Sequence, residues 1–260
     1  MRANIKSFEL EKSLERIDSI LNDSTTFGEA DDIPKIEDLT YKNGKYVKCA
    51  AFFIDLRGSS DLIETQGKKS KSLARLYRAY ISEIVAIVNS FETCREVNIV
   101  GDCVSAVFSG EANDPAKSSV TQALEAASMS NGMMDILNIK YKKKWGSDFK
   151  EVNAGIGVAY GRALTIKAGY SGSGINDLIY MGDVVNKASK MCGLAYKDFP
   201  CFAICVTEAV YTSAGTYIAN SDEQKTFQDF LTEKYHSKYD KVYVGNFYRI
   251  SMNEWCKENS

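Results

Sequence analysis

The sequence predicts an α+β domain on a ferredoxin-like split βαβ core, a mostly antiparallel sheet flanked by helices. Two long segments with helical spacing, about residues 70–91 and 116–145, alternate with short apolar runs rich in β-branched and aromatic residues. Those runs follow the order β-α-β-β-α-β, which is the split βαβ arrangement. Between the two helices, "EVNIVGDCVSAVF" (96–108) reads as two strands meeting at a tight turn on Gly101-Asp102.

Residues 4–22 place Ile5, Phe8, Leu10, Leu14, Ile17 and Ile20 between charges, approximately the spacing of an amphipathic helix. The polar stretch that follows, to residue 45, reads as a linker or covering loop. The main domain is expected over 46–251, with 252–260 as a tail. It opens on the strand "YVKCAAFFIDL" (46–56). Beyond the second long helix, "VNAGIGVAYG" (152–161) and "RALTIKAGYSG" (162–172) read as a pair of strands. A helix is expected over 183–195, a strand at "CFAICV" (201–206) and a final strand at "DKVYVGNFYRI" (240–250). The glycine-rich "GYSGSGIND" (169–177) lacks the GxxxxGK pattern and reads as a hairpin tip. The basic run "KYKKKW" (140–145) suits the C-terminal end of a helix dipole.

With 260 residues, 45% of them hydrophobic, the chain can bury a sizeable core. Its 34 acidic and 32 basic residues leave a net charge of -2, so no broad field favours a nucleic acid polymer or an anionic membrane, and a small ligand is the expected partner. Neither a run of about 18 apolar residues nor a signal-peptide pattern is visible, and seven cysteines without a CxxC pair fit a reducing compartment, so a cytoplasmic location is expected. The single histidine, His236, lies in a polar stretch and is expected to be exposed; a His-rich metal site and a Ser-His or Cys-His nucleophile both lack their base.

Chemistry concentrates on two acids. Asp55 leaves the first strand directly, and Asp102 sits where a chain reversal brings it to a sheet edge. Two unpaired carboxylates side by side are costly unless a cation bridges them, and magnesium or manganese is the natural bridge. After Asp55, the segment Leu56, Arg57, Gly58, Ser59 and Ser60 offers backbone N–H groups and hydroxyls suited to phosphate. By itself it reads equally as the N-cap of the next helix. Cys103, next to Asp102 on a strand, is expected to point the other way, into the core.

Three stretches together resemble the catalytic domain of the class III nucleotidyl cyclases, over roughly residues 46–251. "FFIDLRGSS" (52–60) resembles the family's F-x-D-I-x-G-F-T, "VNIVGDCVSAVF" (97–108) its K-x-x-G-D, and "YMGDVVNKASKM" (180–191) its G-D-x-V-N-x-A-x-R. The resemblance implies that Asp55 and Asp102 hold two divalent cations, Mg2+ or Mn2+, on a nucleoside triphosphate, and that Asn186 orients the ribose. It further implies a head-to-tail homodimer, with the acids from one chain and Asn186 from the other.

Three departures matter. Lys190 stands where the family has an arginine, which keeps the charge and loses the planar fork; Lys187 and Arg57 are possible substitutes. At the two positions where the family's adenylate cyclases read the base, this chain has Asn98 and Ile179, and Ile179 cannot hydrogen-bond. In the last hairpin Lys241, or more weakly Lys238, falls where the family places a lysine on the terminal phosphates. Altered purine-reading positions in an otherwise intact core resemble the pyrimidine cyclases of bacterial Pycsar anti-phage defence. That resemblance implies cyclic UMP or cyclic CMP as a second messenger for a downstream effector, with UTP placed ahead of CTP and both open. An adenylate cyclase and a non-catalytic cyclase-like nucleotide-binding domain are the alternatives.

Overall fold

The apolar run "AAFFI" occupies the middle of a strand that is covered on both faces, which is why it is continuous rather than alternating. In the computed structural model, which describes residues 7–58, 70–110, 114–146, 149–170, 175–215, 217–220 and 223–260, this strand is β2 (Gly44–Leu56). The helices are α1 (Leu10–Leu21), α2 (Ser70–Asn89), α3 (Ser119–Trp145), α4 (Val184–Leu194), α5 (Glu208–Ser213) and α6 (Ile250–Asn259). The other principal strands are β3 (Cys94–Val100), β4 (Cys103–Ser109), β5 (Ala154–Tyr170), β6 (Ile175–Met181), β7 (Ile204–Thr207), β10 (Thr232–His236) and β11 (Asp240–Gly245). Short strands β1 (Gly28–Glu29), β8 (Ile218–Asn220) and β9 (Lys225–Thr226) complete the set among the described residues.

The main sheet runs β10-β11-β7-β5-β2-β4-β3, with β1 on β2 and β6 on β5. Its β5-β2-β4-β3 core is antiparallel throughout, and β5–β7 and β1–β2 are parallel pairs. This is the expected split βαβ sheet with a C-terminal extension. On one face Ala50, Phe52, Ile54 and Leu56 of β2 meet Leu76, Tyr80, Ile84 and Val88, the four-residue stripe of α2, together with α3. On the other, Cys49 and Ala51 meet Val184 and Ala188 of α4.

Several expectations are corrected. The segments read as two strands around Gly161 form one strand, β5, whose register with β2 is unbroken from Leu56↔Ala154 to Gly44↔Ile166. Gly161 marks a close approach and not a turn, because a Cβ there would lie 3.0 Å from Val184. The chain reverses later: Tyr170 pairs with Ile175, and residues 171–174 of the glycine-rich stretch lie outside the described residues. The final strand stops at Gly245, and the expected tail is helix α6, against which Gly132 of α3 leaves room for Met252 and Lys140 meets the Trp255 ring at 5.0 Å. His236 is half-buried rather than exposed, stacked on Tyr239 at 5.1 Å.

Candidate active site

Asp55 is the penultimate residue of β2, and its neighbour Ile54 pairs with Val104 of β4. The β3–β4 turn therefore delivers Asp102 next to Asp55. Gly101 takes φ +64° at the first central position of that turn, the sign that a type II′ hairpin requires and that glycine adopts without strain. The Oδ2 atom of Asp102 is buried with no hydrogen-bond partner among the described residues. Burial pushes the Asp55 carboxyl above its ordinary value, the charge of Asp102 pushes the same way, and Arg57 opposes them. Each acid thus sits in the field of the other with lone pairs unmet. Among the described residues no three or more His, Cys, Asp or Glu side chains are arranged to hold a metal ion together. Two hard carboxylates fit a cation that fills its remaining positions with water and phosphate, as Mg2+ and Mn2+ do. Cys103 does not turn away into the core as expected: it is half-buried beside the acids, its thiol pushed up to about 11 by burial and by Asp55 and Asp102.

The phosphate-cradle reading of the segment after Asp55 is corrected in part. Leu56 buries its side chain in the core, and the Arg57 backbone N–H donates to the Asn153 carbonyl at 2.7 Å, so Arg57 presents no free backbone donor. Gly58 lies exposed at φ +67°, and Ser59 and Ser60 fall outside the described residues. The Arg57 side chain is also committed: Nε donates to the Ala195 carbonyl at 3.0 Å, Nη2 to the Cys192 carbonyl, and Nη1 lies 3.4 Å from Asp55 Oδ2. It caps the C-terminal end of α4, where a cation is favoured by the dipole, while holding Asp55. Its place is made by Gly155, at which a Cβ would collide with the guanidinium. Arg57 is accordingly a structural clamp and no stand-in for the family's arginine. Arg57→Lys, which cannot reach both carbonyls and the carboxylate, should cost about 2 kcal/mol. A drop of about 4–8 °C in melting temperature by calorimetry checks this.

Helix α4 lies along β5, with Val184 over Gly161 and Ala188 and Cys192 over Gly157, where a Cβ would strike the helix backbone. Asn186 projects from its exposed first turn, and Lys190 follows one turn on, exposed, 5.8 Å from the Tyr239 ring centroid in the β10–β11 turn. Lys187 pairs with Asp183 at 2.5 Å. Asp55 is opposite Gly155, whereas the first turn of α4 lies at Gly161; six residues of strand at about 3.3 Å each separate them by about 20 Å. Asp55 and the first turn of α4 thus stand well apart within one chain, the spacing that a site shared by two chains would bridge.

Asn98 is exposed on β3, where its Nδ2 donates to Glu96 Oε1 at 2.5 Å, and the Tyr180 hydroxyl on β6 donates to Glu96 Oε2 at 2.7 Å. Ile179 turns its exposed side chain to the opposite face of β6 from Tyr180. Glu96 and Tyr180 are not legible as site residues in the sequence, because they meet only across two strands 84 residues apart. Lys241 is already engaged, with Glu208 at 3.4 Å and Glu233 at 3.5 Å. Lys238, exposed at the turn with its Nζ 5.6 Å from the Tyr239 ring, is the better placed cation of the two.

A split βαβ sheet that carries paired acids at one edge and an asparagine-bearing helix on its face defines a nucleotidyl cyclase. Residues 41–228 match the adenylate and guanylate cyclase catalytic domain, and the chain belongs to that family. It is 69% identical over 259 residues, 100% of both chains, to a protein from Gulbenkiania mobilis named Uridylate cyclase. A protein of the same name from Treponema porcinum is 31% identical over 254 residues, 98% of this chain and 82% of that one. The fold is shared with the adenylyl cyclase CyaB from P. aeruginosa, at a TM-score of 0.62 and 19% identity over 80% of this chain and 97% of the other. Among the described residues no helix is long and apolar enough to cross a membrane.

Proposed function

We propose that this enzyme converts UTP to 3′,5′-cyclic UMP and diphosphate at sites shared by two copies of the chain. The observation that carries the reaction is the buried, unpartnered Asp102 carboxylate in the field of Asp55. The substrate follows from the full-length similarity to a protein named Uridylate cyclase, and Asn98 and Ile179 fit it because neither recreates a purine-reading pair.

Asp55 and Asp102 would hold two divalent cations, Mg2+ or Mn2+, which when bound activate the ribose 3′-hydroxyl and stabilise charge on the leaving diphosphate. Asn186 from the second copy orients the ribose for in-line attack. The 3′ oxygen forms a bond to the α-phosphorus, the bond from that phosphorus to the bridging oxygen breaks, and the hydroxyl proton is lost to water. Lys190 supplies positive charge at the transferring phosphate as a point charge, and Lys238 meets the terminal phosphates. Exposed Ile99, Val100, Ile179 and Met181 lie on β3 and β6, and a second copy covering them accounts for their exposure. By its resemblance to the Pycsar cyclases, the enzyme acts in the cytoplasm and its product signals to a downstream effector in anti-phage defence.

The test is to give the purified protein Mn2+ with ATP, GTP, CTP or UTP separately and identify products by mass. Cyclic UMP should dominate. Cyclic AMP or cyclic CMP as the main product would overturn the substrate, and no product from any nucleotide would favour a cyclase-like binding domain.

A further inference from the structure

We infer that Glu96 and Tyr180 are positioning residues that lock the Asn98 carboxamide in one orientation and thereby set which pyrimidine the enzyme accepts. This rests on the proposed pyrimidine cyclase reading. Glu96 and Asn98 lie two residues apart on β3, opposite Val107 and Ser105 of β4, and so share a sheet face with Asp55 and α4. A cleft of about 440 Å³ opens there, its walls including Glu96, Asn98, Asp177, Tyr180 and Lys35. That volume holds a pyrimidine ring.

The hydrogen bonds in this cleft leave the amide no choice. An ionised carboxylate only accepts, so Glu96 must be met by the Nδ2 of Asn98, and a flipped amide would set Oδ1 against Oε1, lone pair against lone pair. Tyr180 holds the other carboxylate oxygen, so Glu96 cannot swing away without breaking a second bond. The Tyr180 hydroxyl stays protonated, since burial and the Glu96 charge both raise its pKa, and it remains a donor. With one Nδ2 hydrogen held by Glu96, Oδ1 and the second Nδ2 hydrogen face the base in a fixed order, which matches the N3–H and neighbouring carbonyl of uracil and opposes the N3 lone pair and exocyclic amine of cytosine. Uracil carries a hydrogen on N3 and donates it to such an oxygen; cytosine carries a lone pair on N3 and repels it. Neither Glu96 nor Tyr180 need touch the base: both act through Asn98.

Glu96→Gln is the decisive variant, because glutamine has the same shape yet both donates and accepts, and so no longer dictates the amide orientation. The measurement is the ratio of cyclic UMP to cyclic CMP formed from an equimolar UTP and CTP mixture with Mn2+. Glu96→Gln should lower that ratio about tenfold, with a smaller fall in Tyr180→Phe. A merely structural role would lower both products together and leave the ratio alone. An unchanged ratio in both variants, with cyclic UMP still formed, would overturn this inference alone. Absence of cyclic UMP from the unsubstituted protein would overturn the proposed function and the inference with it.

Discussion

Asp102→Asn should reduce cyclic nucleotide formation by about 10²–10³-fold while leaving the metal-free protein as stable as before or slightly more so. The two effects have one cause. Asp102 and Asp55 are held close by the β3–β4 turn, and burial together with the Asp102 charge raises the Asp55 pKa, so their joint ionisation opposes folding. For an acid whose folded pKa lies above its unfolded value, stability is greatest below the unfolded value and declines as pH rises through the folded one. Removing the Asp102 charge relieves part of that decline. The gain in melting temperature should therefore appear at neutral pH and close as pH falls toward the ordinary aspartate value of 3.8. Melting curves in the presence of a chelator, beside a turnover assay, check both halves. A variant that loses activity by unfolding would show the opposite sign of stability change.

Gly157→Ala should be more damaging than its size suggests. A methyl group at this position would be driven into the Ala188 carbonyl and the Cys192 amide, backbone atoms of α4 that cannot rotate aside. The helix must lift off β5, at a cost of about 2–3 kcal/mol, which for a domain of this length is about 5–10 °C in melting temperature. Turnover should fall further than stability alone explains, because the helix that moves carries Asn186 and Lys190. Gly193→Ala is the matched control. It lies in the same helix with nothing within 4 Å of the added carbon, and replacing a helical glycine there should be neutral or stabilising by up to about 1 kcal/mol. Equal losses in the two variants would mean that the contact of α4 with Gly157 is not what seats the helix.

What could be read from the sequence was whatever local chemistry decides. The Gly101-Asp102 turn follows from a dipeptide between apolar runs, and α2 follows from the four-residue stripe through Leu76, Tyr80, Ile84 and Val88. Asp55 stands out because an acid ends an apolar strand. Features that depend on partners distant in the chain were hidden. Gly161 reads as a break until Val184 is seen over it, since a glycine that ends a strand and one that admits a helix look alike in sequence. Arg57 reads as a candidate for phosphate because the carbonyls it caps, at Cys192 and Ala195, lie some 135 residues on. The Glu96–Tyr180 contact spans 84 residues and joins two strands whose adjacency no local pattern reveals.

The separation of about 20 Å between Asp55 and the first turn of α4 within one chain makes subunit complementation the most direct test. Asp102→Asn and Asn186→Ala proteins should each be nearly inactive with UTP and Mn2+. Mixed in equal amounts and allowed to exchange, half the dimers pair one of each, and each such dimer holds one intact site of two. Cyclic UMP formation should then return to about one quarter of the unsubstituted rate. A mixture no more active than its two components, with exchange confirmed, would contradict a site built from two chains.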